Sequence, residues 1–154
     1  PADTGTASPT HRARFRPFIY LVDDQVLVPV EASPPGPGDT AGTLRAVLGQ
    51  LAKGPSETDR SAGLSTALGP DTAITLVGLE DGVAHIDVSA GDQVPSPPRV
   101  PLAVGQIVLT ATSVPEVDAV VMTRDGAPVQ LPIPGGALTS APVTAQDYVE
   151  LTRP

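Results

Sequence analysis

Proline recurs along the whole chain, 19 times in 154 residues, and so limits how far any regular element can run. A proline lacks the backbone N–H and breaks the interior of a helix or a central strand. With 15 glycines beside the prolines, the sequence divides into short elements joined by tight turns and stiff loops. The prolines are dispersed, and 40% of the residues are hydrophobic, which is the composition of a folded domain. A length of 154 residues suits one domain with a modest core. Aromatic residues are few (Phe15, Phe18, Tyr20 and Tyr148, with no tryptophan), so that core has to be built from Val, Leu, Ile and Ala.

Charge and cysteine content narrow the setting. A net charge of −8 argues against nucleic acid or an anionic membrane surface as the main partner, because both reward a clustered basic face. A single lysine, Lys53, stands against eight arginines; with abundant Ala, Pro and Gly this suggests a GC-rich genome. Without cysteine there is neither a disulfide nor a thiolate metal site. No apolar run approaches the roughly 18–20 residues of a bilayer span. The chain opens on Pro1 without a methionine, which leads to the expectation that an export signal has been removed.

Residues 1–14 hold no apolar periodicity and read as a flexible tether, ahead of a domain over 15–154. In FIYLVDDQVLVPVE two short strands flank Asp23 and Asp24. Phe18, Tyr20 and Val22 share one face of the first strand and Ile19 and Leu21 the other, so both faces should be covered. Pro29 makes the second an edge strand. After the stiff loop SPPGPGD, residues Leu44, Val47, Leu48, Leu51 and Ala52 trace the apolar stripe of a helix. Asp39 or Thr40 is expected to cap its start, Gly54-Pro55 ends it, and Gly49 is a blemish within it. TAITLVGLEDGVAHIDVS reads as a hairpin turning at Asp81-Gly82, with a bulge near Gly78. LAVGQIVLTAT fits a strand by composition and a helix by its stripe; Pro101, well placed as a first helical residue, favours the helix. A second hairpin turns near Asp125-Gly126, and TAQDYVEL suggests a short helix capped by Thr144. The order β-β-α-β-β-α-β-β is that of an α+β domain.

Residues suited to chemistry are scarce. His85 is the only histidine after the tether, and Asp87 shares its strand face, so a His–Asp dyad can be drawn. A nucleophile placed by that base would be needed as well, and no G-x-S-x-G is present. The simpler reading is a solvated face with a weak ion pair. Asp23 and Asp24 have the chemistry for calcium, but acids at strand ends more commonly form turns. Pro134 to Gly136 is a turn, because no G-K-[ST] follows to cradle a phosphate. Glu57, Asp59 and Arg60 read as a solvated loop face with local pairing. No residue is assigned a catalytic, cofactor-binding or metal-binding role.

Several stretches, in order, resemble the GerMN domain, the sporulation and spore germination domain. KGPSETDRSAGLSTALGPDTAI is similar to the family's signature of a helix end, Gly-Pro, an acidic residue, Gly-Leu and a strand start. DGVAHIDVS resembles its third-strand motif. QIVLTATSVPEVDAVVMTRDGAPV resembles its second half, with Gln106, Thr110, Val117, Val120 and Asp125-Gly126 in place. TAQDYVEL looks like the family's usual ending around Asp147-Tyr148. The similarity covers about residues 17–151; the loops SPPGPG and VPSPPRVP are unusually rich in proline, and the second helix is richer in Val than usual. The resemblance implies a small two-layer sandwich of two helices on one mixed or antiparallel sheet, similar to ring-building motifs. It also implies an exported or lipid-anchored envelope protein of actinobacterial type, with no enzyme activity and no cofactor. On that reading KGPSETDRSAGL carries the chain from the first helix to the next strand, anchored by Leu64 and Leu68.

The leading expectation is therefore a non-catalytic interaction or scaffold module of the cell envelope. Its partner is an envelope or membrane protein complex, it reaches the membrane only through an N-terminal anchor, and the isolated domain is a monomer. It would bind through an exposed strand edge or the proline loop from Gln93 to Pro101, whose stiffness limits the entropy lost on docking. A hydrolase of envelope polymers using His85, and a carrier of a small ligand or lipid, are the alternatives. A hydrolase would show titratable groups converging in a cleft, a carrier a sizeable apolar cavity. Fully extended, residues 1–14 would reach roughly 45 Å at about 3.3 Å per residue. Their amides should exchange with solvent at unprotected rates in the isolated protein; strong protection there would contradict the tether.

Overall fold

The computed structural model describes residues 18–24, 26–31, 40–68, 72–89, 100–114, 116–132 and 138–152. The tether, the SPPGPGD loop with Asp39, the proline loop as far as Arg99 and the Pro134–Gly136 turn lie outside them. Strands β1 (Phe18–Asp23) and β2 (Val26–Glu31) form an antiparallel hairpin in register from Phe18↔Glu31 to Asp23↔Val26. Asp24 takes the left-handed conformation at its turn (φ 49°), one that Asp tolerates better than most residues. Both faces of β1 are covered, with Ile19, Leu21 and Val22 buried and Tyr20 half-buried.

Helix α1 (Thr40–Lys53) buries Leu44, Val47, Leu48 and Leu51, the stripe its spacing predicts. It ends at Gly54 (φ 83°), whose N–H donates to the Leu51 carbonyl at 3.0 Å. Of the two caps expected, Asp39 lies outside the described residues, and Thr40 lies inside the helix with its hydroxyl donating to the Glu116 carboxylate at 3.2 Å. Residues Glu57–Ser61, read from sequence as a loop, form a short helix α2. Ser56 caps it, accepting from the Asp59 N–H at 3.1 Å while its own N–H donates to the Asp59 carboxylate at 3.2 Å. Asp59 supplies the reciprocal bond that Glu or Gln usually gives, which is why the pattern is easy to miss.

Strands β3 (Ala73–Glu80) and β4 (Val83–Ser89) pair antiparallel across Asp81 (φ 51°) and Gly82 (φ 81°), the geometry of a type I′ turn. Their register shifts between Leu76 and Gly78, so Val77 is the extra residue of a bulge there and is 65% exposed. Helix α3 (Val100–Thr112) then crosses to β5 (Ala119–Arg124), which lies parallel to β4. A second turn, Asp125 (φ 50°) and Gly126 (φ 85°), leads to the two-residue strand β6 (Ala127–Pro128). Strands β7 (Leu131–Pro132) and β8 (Leu138–Thr139), helix α4 (Ala145–Tyr148) and a 3-10 turn over Val149–Leu151 follow.

The architecture is α+β, with the two long helices packed against a mixed sheet of order β3-β4-β5-β6. Every residue of α3 from Leu102 to Ala111 is buried. It touches β5 and β7, α1, the β1–β2 hairpin and α4. A helix enclosed on all sides is apolar around its circumference, so its Val and Ile content reflects burial and not strand geometry. Close approach is bought at Gly105, where an added Cβ would stand 2.8 Å from Leu27 Cδ1 and 3.3 Å from Leu151 Cδ1. Leu27 is itself fully buried.

Two glycines in the two long helices should therefore respond with opposite signs. Gly49 is exposed and a Cβ there meets nothing within 4 Å, so Gly49→Ala should stabilise by about 0.4–1 kcal/mol. Gly105→Ala should destabilise by about 1–3 kcal/mol through overpacking. Leu48→Ala, beside Gly49 but in the core, should cost about 2–5 kcal/mol. Urea unfolding of the three variants measures all of these.

Candidate functional site

The sheet turns one face to the helices and the other outward. On β4, Ala84 and Ile86 point into the core, while His85 and Asp87 occupy the outer face. His85 lies between Gly78 and Val121, and Asp87 between Thr75 and Thr123. The two residues are thus on one face, as their spacing requires, yet the carboxylate is engaged elsewhere. Asp87 Oδ1 accepts from the Thr123 hydroxyl at 2.6 Å and from the Gly126 N–H at 2.8 Å. It fastens the β5–β6 turn to β4 and replaces the weak His–Asp ion pair expected from sequence.

Those two bonds, the Thr123 hydroxyl first, hold the Asp87 carboxyl below its usual range. A depressed folded-state value means that the stabilisation is present above the unfolded value, about 3.9, and is lost as pH falls through the folded one. Among the described residues no group of three or more His, Asp or Glu side chains is placed to hold a metal ion. Asp24 of the Asp23–Asp24 pair sits at the β1–β2 turn. Glu57 and Arg60 are exposed on α2, and Asp59 serves as its capping partner.

The most concentrated polar chemistry is inside the domain. Gln106, fully buried in α3, donates through Nε2 to the Tyr20 carbonyl at 2.9 Å and to Thr66 Oγ1 at 3.0 Å. Its Oε1 accepts from the Ala67 N–H at 2.7 Å. One turn later, buried Thr110 Oγ1 accepts from the Tyr20 N–H at 3.0 Å. Ser113 Oγ accepts from the Phe18 N–H at 3.3 Å and lies 3.1 Å from the Phe18 carbonyl. Val22 exchanges backbone bonds with Ser65 at 2.7 and 2.8 Å. The free edge of β1 is thereby sealed by a helical stripe and by the segment after α2. The signal that could have found this is the lone amide of Gln106 within an otherwise apolar run.

Two measurements test these assignments. Gln106→Met leaves the Tyr20 carbonyl and the Ala67 N–H without partners. Each costs about 1–3 kcal/mol, so unfolding should show a loss of about 2–6 kcal/mol. Asp87→Asn should flatten the acid side of the stability profile: below about pH 4 the wild type should lose stability faster than the variant.

The family model described as Germane, sporulation and spore germination, matches residues 18–130. Among solved structures, the tandem GerMN domains of the sporulation protein GerM from Bacillus subtilis are similar at a TM-score of 0.66 and 20% identity, over 86% of this chain and 46% of that one. The first GerMN domain of the same protein is similar at 0.62 and 20% identity, over 86% of this chain and 98% of that one. A candidate lipoprotein from Clostridium perfringens gives 0.58 and 18% identity, over 90% and 91%. The chain thus spans just under half of the tandem pair and nearly all of a single GerMN domain. A comparison with curated proteins found no match. The structural likeness is one of fold, and the family model runs from β1 through the β5–β6 hairpin; the chain belongs to the Germane family of sporulation and spore germination domains.

Proposed function

We propose that this domain is a non-catalytic interaction module of the cell envelope, the extracytoplasmic part of an exported, lipid-anchored protein. The observation that carries the reading is the commitment of Asp87 to Thr123 and Gly126. Both bonds fall on Oδ1 and turn the carboxylate toward the β5–β6 turn, a structural task that accounts for Asp87 without a dyad with His85, the one described histidine. Hydrolysis would need both an acid that orients the base and a nucleophile that the base activates. The family's link to sporulation and the candidate lipoprotein among similar structures support the envelope setting. No helix among the described residues is long and apolar enough to cross a membrane.

The docking surface we favour is the outer face and the free side of β3, the terminal strand of the four-stranded sheet. Its bulge holds Val77 out toward solvent, beside Thr75 and in front of His85. A sheet edge offers unpaired backbone groups to a partner's strand, and the bulge limits indiscriminate pairing. In cells that produce the protein, a photo-reactive residue at the exposed position 75 should capture a discrete envelope protein, and Val77→Lys should abolish that capture with the circular dichroism unchanged. His85→Ala should keep both capture and cellular phenotype. A folded His85→Ala protein that loses the phenotype would transfer the assignment to the hydrolase.

A further inference from the structure

On the helix side of the sheet, away from that docking face, the described residues line a cavity of about 180 Å³. Ala103, Val104 and Ile107 of α3, Met122 of β5 and Leu131 of β7 contribute to its apolar lining. An apolar cavity of about 150 Å³ stays dry and is large enough for benzene, so this one has room for roughly six carbons. Arg124, exposed at the end of β5, is the one charged residue on the lining among the described residues. An apolar pocket with a cation at its margin matches a ligand with a hydrocarbon chain and an anionic end.

We propose that this cavity binds a medium-chain alkyl carboxylate, with the chain between α3 and β5 and the carboxylate on Arg124. The molecule as a whole carries −8, so long-range attraction cannot draw an anion in. The selectivity must come from Arg124 at short range, where a planar guanidinium takes a carboxylate through two parallel bonds. The site does not depend on the proposed partner face, because the two lie on opposite sides of the sheet.

Methyl NMR of the whole chain, titrated with butanoate, hexanoate, octanoate, hexanol and hexylammonium, tests it. Hexanoate should shift the methyl signals of Ile107, Met122 and Leu131 saturably. Affinity should rise about fourfold per methylene from butanoate to hexanoate. It should level off in octanoate as the cavity fills. Arg124→Gln, a change at an exposed position, should weaken hexanoate about tenfold and leave hexanol unaffected. Ala103→Leu should fill the cavity and abolish binding in a protein whose circular dichroism is unchanged. The proposal is overturned if millimolar hexanoate gives no saturable shift, if hexylammonium binds as tightly as hexanoate, or if Arg124→Gln leaves hexanoate binding intact.

Discussion

The domain is organised around one buried amide. Gln106 sits in the middle of a helix whose ten consecutive residues from Leu102 to Ala111 are hidden from solvent. An amide in such a place is costly unless all its bonding groups are met, and here they are met by the backbone of β1, by Thr66 and by the Ala67 N–H. Apolar packing is non-directional and fixes the rotation and height of α3 less sharply than hydrogen bonds do. The amide removes the remaining freedom, because any rotation or slide leaves buried groups unpaired.

Two features of the fold depend on this contact. The first is the free edge of β1, which a single helix closes with side chains placed one turn apart, Gln106, Thr110 and Ser113. Side chains four and three residues apart share a helical face, so one stripe can follow alternate residues of a strand. The second is the path between α1 and β3. The short helix α2 brings the chain back under Gly63 (φ 90°), Ser65 pairs with Val22, and Ala67 closes on Gln106. Leu68 is then buried and Leu64 half-buried against the core, so this polar stretch acts as a strap across the hairpin and α3.

Much of this was legible in the sequence because it rests on local rules. The leucine stripe of α1, both Asp-Gly turns and the bulge near Gly78 follow from periodicity and φ preference, and all are present. The ambiguous run from Leu102 was assignable to a helix only because a stripe and Pro101 outweighed its β-branched composition. What was not legible is long-range. That Asp87 belongs to Thr123 and Gly126 and not to His85 depends on β5 lying parallel beside β4. Sequence spacing along β4 carries no information on that pairing. Gln106 stood out as a polar residue, but its partners lie 86 and 39 positions away along the chain. The cavity beside Arg124 is a gap between four elements and has no signature in any one of them.

The proposed docking face lies on the outer side of the sheet, and the proposed ligand pocket lies under α3 on the other. Both require α3 to be fixed in position, which assigns that task to the Gln106 contact. Native-state hydrogen exchange at the Ala67 amide tests this most directly, because Ala67 lies outside every helix and named strand. If Gln106 holds the strap as described, the Ala67 amide exchanges only through global unfolding, with the same protection as the central amides of α3. Exchange at the rate of an ordinary surface loop would contradict the central role given to this residue.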